Sequence, residues 1–173
     1  MIVDIMKEVC EALSEKRGHA VNYIFGDSSY MRENLLQMSK SKEVEGLKYP
    51  LVGLYSPFEE QRDSDGYFCR GNVNMILAVR TVAGYTNEQR LDISFKGFLR
   101  PFYNDFIEVL KSSQKLDFGY SGIVPHVYVE NYSFGRRGAI DADGESLSDK
   151  IDAIEIKNLE LTVKNQDCYA NRY

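Results

Sequence analysis

The sequence has few of the residues that usually hold metals. It contains no tryptophan, two histidines and three cysteines in 173 residues. The cysteines, Cys10, Cys69 and Cys168, are far apart and form no CxxC motif, and with His19 and His126 they form no Cys/His cluster. This pattern argues against a structural zinc site. An odd number of separate thiols fits a reducing cytoplasm.

Long apolar runs and an excess of positive charge are also missing. No apolar run approaches the roughly 18 residues that a membrane-spanning helix needs. The N-terminal stretch MIVDIMKEVCEAL has no basic region followed by an apolar run, so it predicts no secretory signal. The formal net charge is -5. A negative chain is a poor candidate for nucleic-acid binding by bulk charge, which needs a positive face.

Sequence motifs of common enzyme classes are absent too. Neither GxSxG nor a P-loop is present. Two DxDG stretches, 63–66 and 141–144, place glycine directly after the second aspartate, whereas a calcium-binding EF-hand loop spaces these residues further apart and ends on a bidentate glutamate. We interpret both stretches as turns rather than cation sites. We therefore predict no enzymatic activity, no cofactor and no bound metal.

The residues that are present predict one α+β domain over 1–173, with an antiparallel sheet of four to five strands and helices packed on one face. The apolar periodicity that carries this prediction gives helices at 2–16, 29–39 and 101–112, and strands at 48–56, 71–83, 126–134 and 150–164. The segment 21–25 is either a short strand or the lead into a turn, and 85–99 is ambiguous but favours a short helical or irregular segment. Extended polar loops are expected at about 57–71 and 135–149, and a short polar tail ends the chain.

The closing stretch DKIDAIEIKNLELTV changes parity in its middle. Ile154 and Ile156 occupy even positions, whereas Leu159, Leu161 and Val163 occupy odd positions. Because a one-residue slip turns every side chain to the other face, a β-bulge within one residue of Asn158 would keep both apolar sets on the core face. The acids Asp149, Asp152 and Glu155 are then expected on the outer face of a bent strand, and not as ligands.

The only concentrated basic feature is the pair Arg136 and Arg137 between two glycines. An acidic run follows it, beginning with Asp141 and Asp143. Charges of opposite sign at the two ends of one loop suit a head-to-tail contact between copies of the chain, although a solvated loop is the simpler interpretation. Tyr132 and Phe134, at the end of the preceding strand, complete the predicted contact because tyrosine and phenylalanine offer large contact areas. The whole sequence contains 12 Tyr and 9 Phe.

Five features carry a family resemblance. An amphipathic helix opens the chain at Ile2–Glu15, a Tyr49-Pro50 step enters the first main strand, and a long apolar strand follows at 73–83. A helix beginning LRPFYNDFIEVLKSS comes next, and DKIDAIEIKNLELTVKN closes the chain. In this outline the chain resembles the tail-terminator family of long-tailed bacteriophages and prophages, or a closely related head–tail joining (neck) protein.

The resemblance implies a structural protein of the virion, present in the bacterial host cytoplasm during assembly. Such proteins form a homo-oligomeric ring, a hexamer, on the end of the tail tube, and they present a surface to the head connector. No catalytic residue belongs to the family. Two rival readings stay open. One is a small-ligand-binding α+β domain of the cytoplasm with a closed apolar cavity between sheet and helices. The other is an enzyme built on the carboxylates, in which Asp152→Asn would abolish turnover.

Overall fold

A computed structural model describes residues 1–62, 68–134 and 149–164. Its helices and strands follow in chain order: α1 (Ile2–Arg17), β1 (Asn22–Gly26), α2 (Ser28–Lys40), a short 3-10 turn (Glu45–Leu47), β2 (Leu51–Arg62), β3 (Phe68–Arg80), α3 (Asn87–Arg90), a π-helix (Leu91–Leu99), α4 (Arg100–Ser112), β4 (Val127–Phe134) and β5 (Ile151–Lys164). The predicted α+β class is confirmed. The ambiguous segments 21–25 and 85–99 are a strand and a mostly helical stretch.

The five strands form one sheet in the order β1-β2-β3-β5-β4. β1 runs parallel to β2, and the other three pairs are antiparallel. The parallel pair is the one departure from the predicted antiparallel sheet. It arises because α2 connects β1 to β2, and parallel neighbours need such a crossover connection.

The main core lies between one face of the sheet and α1, the π-helix and α4, which agrees with the prediction of helices on one face. The helix α2 differs, because it packs on the opposite face, where Met31 and Leu35 contact Ile24 and Ile76. The sheet allows this because the first half of β2 and the second half of β3, which pair with each other, are apolar on both faces. Leu51 and Val52, for example, lie in different clusters. The rest of that second face is not covered by α2.

Local sequence signals set the helix ends. Gly18 ends α1 in the left-handed conformation, with φ of 68°. Asp27 caps α2, where its side chain accepts a hydrogen bond from the backbone N–H of Tyr30 at 2.8 Å. Thr86 and Gln89 form a capping box at the start of α3. The π-helix then leads directly into α4, whose second residue is Pro101.

The predicted loop at 57–71 is wrong at both ends, because residues 57–62 and 68–71 belong to β2 and β3. After an irregularity between Tyr55 and Glu59, the two strands pair again, with Glu60 opposite Gly71. Their sequence is polar because this part of the hairpin is largely exposed, and among the described residues the start of α1 contacts it. The backbone N–H of Ile2 donates to Glu60 Oε1 at 3.4 Å. Residues 63–67, the segment 135–148 and the tail 165–173 lie outside the described residues.

The predicted bulge in β5 is confirmed. Val73 pairs with Leu159 and Met75 with Ile156, so two residues of β5 lie opposite the single residue Asn74. Asn158 has a φ of 53°, and its backbone N–H donates to Asn74 Oδ1 at 2.9 Å. The apolar residues on both sides of the bulge consequently lie in one core cluster, as predicted: Ile154, Ile156, Leu159, Leu161 and Val163.

Candidate functional site

The residues predicted to make a subunit contact lie at or beyond the end of β4. Tyr132 is in that strand, and Phe134 is its last residue. Arg136, Arg137, Asp141 and Asp143 lie outside the described residues. The part of the predicted contact that the structure describes is therefore the edge strand β4 itself, which is the last strand of the sheet on one side.

The side chain of Tyr132 packs within its own chain. Its ring lies 4.2 Å from the ring of Phe95, measured between centroids, and its hydroxyl donates to Glu130 Oε2 at 3.2 Å. Burial of the hydroxyl, together with the neighbouring Glu130, raises the pKa of Tyr132. Tyr132 is half-buried and neutral, and it anchors β4 on the π-helix.

Glu130 is the polar centre of β4. Arg100 donates to its two oxygens from Nε at 2.7 Å and from Nη2 at 3.1 Å, and Tyr128 donates to Oε1 at 2.6 Å. The guanidinium of Arg100, followed by the hydroxyl donors, lowers the pKa of Glu130. The bidentate arrangement fixes the strand against the start of α4 with its charge already balanced.

A second group of side chains holds the beginning of β4. His126 Nδ1 lies 2.8 Å from the carbonyl of Val124, and its Nε2 lies 2.7 Å from the hydroxyl of Tyr103. Because a carbonyl can only accept, the ring hydrogen belongs on Nδ1, and Tyr103 donates to Nε2. The ring of Tyr103 also packs edge-on against Tyr128, with 4.8 Å between centroids. Both ring nitrogens of His126 thus have a hydrogen-bond partner within the chain.

Two apolar side chains of β4 nevertheless remain open to solvent. Val127 is 50% exposed and Tyr128 is 37% exposed. They lie on opposite faces of the sheet, since their neighbours on β5 are Lys157 and Ile156. An edge strand that presents unpaired backbone groups beside exposed apolar side chains is a ready site for pairing with another chain.

The prediction that the acids lie on the outer face of β5 is wrong for Asp152. This residue is fully buried, and its Oδ1 accepts from Nη1 of the equally buried Arg90 at 2.9 Å. Asp149 is also buried, where it pairs with Lys48. The lysine donates in addition to Ser39 Oγ at 2.6 Å. Both acids are structural counter-ions that fix the start of β5.

The sequence signal missed these partners because it is local. Arg90 lies 62 residues before Asp152, and Lys48 lies 101 residues before Asp149. No motif joins them. The one available clue was the presence of two acids at the start of a strand that is otherwise apolar, where a buried charge requires a partner of opposite sign.

A groove lies on the sheet face opposite the main core, on the part that α2 leaves uncovered. It has a volume of about 570 Å³ and is lined by Arg70, Glu160 and Thr162 of the sheet and by Asp117 and Ile123 of the segment before β4. It is open to solvent and polar at its base, unlike the closed apolar cavity expected for a ligand-binding domain. Among the described residues, no three His, Cys, Asp or Glu side chains are placed to hold a metal ion.

Comparison with protein-family models and with curated proteins found no match. Within the described residues, no helix is long and apolar enough to cross a membrane.

Proposed function

We propose that this chain is a structural virion-assembly protein: a ring-forming tail terminator or head–tail joining subunit of a long-tailed phage or prophage. Its chemistry is recognition and not catalysis. It works in the virion and in the host cytoplasm during assembly, and its partners are further copies of itself, the tail-tube protein and the head connector. The observation that carries the proposal is the open edge of β4, which Arg100, Glu130 and Tyr132 hold rigid.

Two further observations support this proposal. The acids that could have suggested an enzyme, Asp149 and Asp152, are buried counter-ions of Lys48 and Arg90. In addition, the elements on which the family resemblance rests are present as an amphipathic first helix, a long central strand, a helix at Arg100–Ser112 and a bulged closing strand. A tail terminator needs this combination of a rigid subunit with an exposed surface for its neighbour.

Size-exclusion chromatography with light scattering, over a range of protein concentrations, tests the proposal. We expect a closed oligomer, or a monomer that forms rings when purified tail tubes are added, as seen by electron microscopy. A chain that stays monomeric at high concentration and leaves tail tubes uncapped would contradict the proposed function.

The groove around Arg70 favours a second candidate function, the binding of a small ligand. Arg70, Glu160 and Thr162 line the same groove, and their polar side chains could together orient a polar ligand. This candidate predicts that a ligand raises the melting temperature of the parent protein, and that Arg70→Ala abolishes the rise.

A further inference from the structure

The sheet has two open edges, one at β1 and one at β4. These are the outer strands in the order β1-β2-β3-β5-β4. Within residues 1–62, 68–134 and 149–164, neither strand pairs on its outer side with another strand. Each edge also carries an apolar side chain that is half-exposed: Phe25 on β1 and Val127 on β4, both at 50%.

The hydrogen-bond phase shows which backbone groups point outward on β1. The N–H of Asn22 donates to the carbonyl of Pro50 at 2.9 Å, next to β2. In a parallel ladder alternate residues bond to the same neighbour, so Asn22 and Ile24 bond to β2. The N–H and C=O groups of Tyr23 and Phe25 therefore point away from the sheet.

The hydrogen bonds between β3 and β5 show which backbone groups of β4 point outward. The N–H of Thr81 donates to the carbonyl of Lys150 at 2.7 Å, so residues of even number at the start of β5 bond to β3, and the odd ones bond to β4. Val129, which pairs with an odd residue of β5, bonds to that strand. Tyr128 and Glu130 are left with their N–H and C=O groups directed outward.

The outward residues of both edges carry their side chains on the same face. Tyr23 donates its hydroxyl to the carbonyl of Val3 in α1, and Phe25 lies beside it with 6.2 Å between ring centroids. Tyr128 and Glu130 lie on this α1–α4 face as well, because their partners on β5 belong to the main core. When the two edges meet, aromatic side chains of β1 face Tyr128 across the new pair.

The strand directions also agree. β2 and β5 are both antiparallel to β3, and β1 is parallel to β2, so β4 runs opposite to β1. Rotation of a copy about an axis along the strands keeps each strand's direction and keeps the same face outward. Such a copy places its β1 antiparallel to β4 of its neighbour, which is the slightly more stable pairing.

We propose that β4 of one copy pairs antiparallel with β1 of a second copy, so that the sheet continues from subunit to subunit. This inference deepens the proposed ring-forming function and rests on it. The contact is heterologous, since a different surface is used on each side, and such contacts generate rings when the rotation closes. It also brings α2 of the second copy, which covers β1, next to the exposed Val127.

Pairing of β4 with itself is the main rival, and the charge of Glu130 disfavours it. In an antiparallel pair centred on β4, Glu130 of one copy lies opposite Glu130 of the other, and like charges in directly opposed positions are destabilising. β1 has no charged residue over Asn22–Gly26. The pairing of β4 with β1 consequently places Glu130 beside neutral side chains.

Two variants that each block one edge test the inference. Phe25→Glu blocks β1, and Val127→Glu blocks β4. Both positions are half-exposed, so the fold should survive, which circular dichroism checks. We expect each variant alone to have the 19.8 kDa mass of one chain in light scattering, and an equal mixture to have twice that mass, because each variant keeps the edge that the other lacks. Val82→Glu, at a position 52% exposed and away from both edges, is the matched control and should assemble as the parent does.

Each other outcome overturns the inference in a distinct way. If Phe25→Glu alone forms dimers, β4 pairs with itself. If both variants keep the parent's oligomeric mass, the edges are not used, and the proposed ring formation stands without them. A parent that is monomeric at every concentration and on tail tubes contradicts the proposed function as well.

Hydrogen exchange on the parent protein gives a second measurement that needs no variant. The amides of Tyr23, Phe25, Tyr128 and Glu130 should exchange slowly in the oligomer and rapidly after dilution to the monomer, because only assembly protects them. Equal exchange in both states would refute the pairing even if a substitution happened to unfold the chain.

Discussion

Replacement of Asp152 by asparagine should destabilise the protein strongly without changing its shape. Asparagine has almost the same volume as aspartate, and it keeps an oxygen that can accept from Arg90 Nη1, which lies 2.9 Å from Asp152 Oδ1. The substitution removes only the negative charge. Arg90 and Asp152 are both 0% exposed, so the guanidinium is left in the interior without its counter-ion.

The expected cost follows from this burial. Removal of one partner from a buried ion pair costs about 3–5 kcal/mol of unfolding free energy, since the remaining charge stays desolvated. In a chain of this size each kcal/mol lowers the melting temperature by about 2–4 °C, so a fall on the order of 6–20 °C is expected. Typical native stabilities of about 5–15 kcal/mol leave the variant folded near room temperature.

Urea denaturation and thermal melting followed by circular dichroism measure this cost. Asp92→Asn is the matched control, because Asp92 accepts from Lys96 at a similar 2.8 Å but on the exposed surface. Loss of that pair should cost only about 0.3–0.5 kcal/mol. The double variant Arg90→Met with Asp152→Asn should lose less than the sum of its single variants, because no unpaired charge is left inside.

A loss of under about 1 kcal/mol for Asp152→Asn, equal to that of the surface control, would refute the assignment of Asp152 as a desolvated counter-ion. The same experiment separates this role from the enzyme reading of the carboxylates. A catalytic Asp152 predicts lost turnover at nearly unchanged stability, whereas a counter-ion predicts lost stability.

Two further predictions concern the bulge and the charge of β4. Asn158→Val should destabilise the protein by about 1–3 kcal/mol in urea denaturation, because a β-branched residue is strained at φ 53°, and Asn158→Gly should be close to neutral; an equal loss in both variants would assign the effect to the lost asparagine side chain instead. Since Arg100 lowers the pKa of Glu130, the ionised Glu130 contributes stability above its ordinary pKa of 4.5, and this contribution is lost as the pH falls through the lower pKa of the folded state. Melting temperatures of parent and Glu130→Gln should therefore differ most near neutral pH and converge in acid, and a constant difference across this range would contradict the assignment.

Features that depend on a short stretch of sequence could be predicted. Apolar spacing is sufficient to predict α1 and α4, because each helix buries one apolar stripe along its length. The parity change in β5 is sufficient to predict the bulge. Both sets of apolar side chains must reach the same core, and one extra residue in the strand makes this possible. The position of the bulge at Asn158 follows from that local rule alone.

Features that depend on distant parts of the chain could not be predicted. The opposite face of β2 and β3 is covered by α2, and no local pattern indicates to which face a weakly apolar helix will pack. The hairpin residues 57–62 resemble a loop in composition because solvent covers one of their faces. The sequence alone places Asp149 and Asp152 in solvent, because Lys48 and Arg90, which neutralise them, are remote in sequence.

The bulge at Asn158 makes the place next to β3 in the sheet selective for β5. The side chain of Asn74 accepts from one amide of β5, and this match exists only where the incoming strand has an extra residue at that point. A strand that lacks the extra residue would bury the wrong face on one side of Asn74. The bulge therefore fixes both which strand of the chain pairs with β3 at this point and the register in which it pairs.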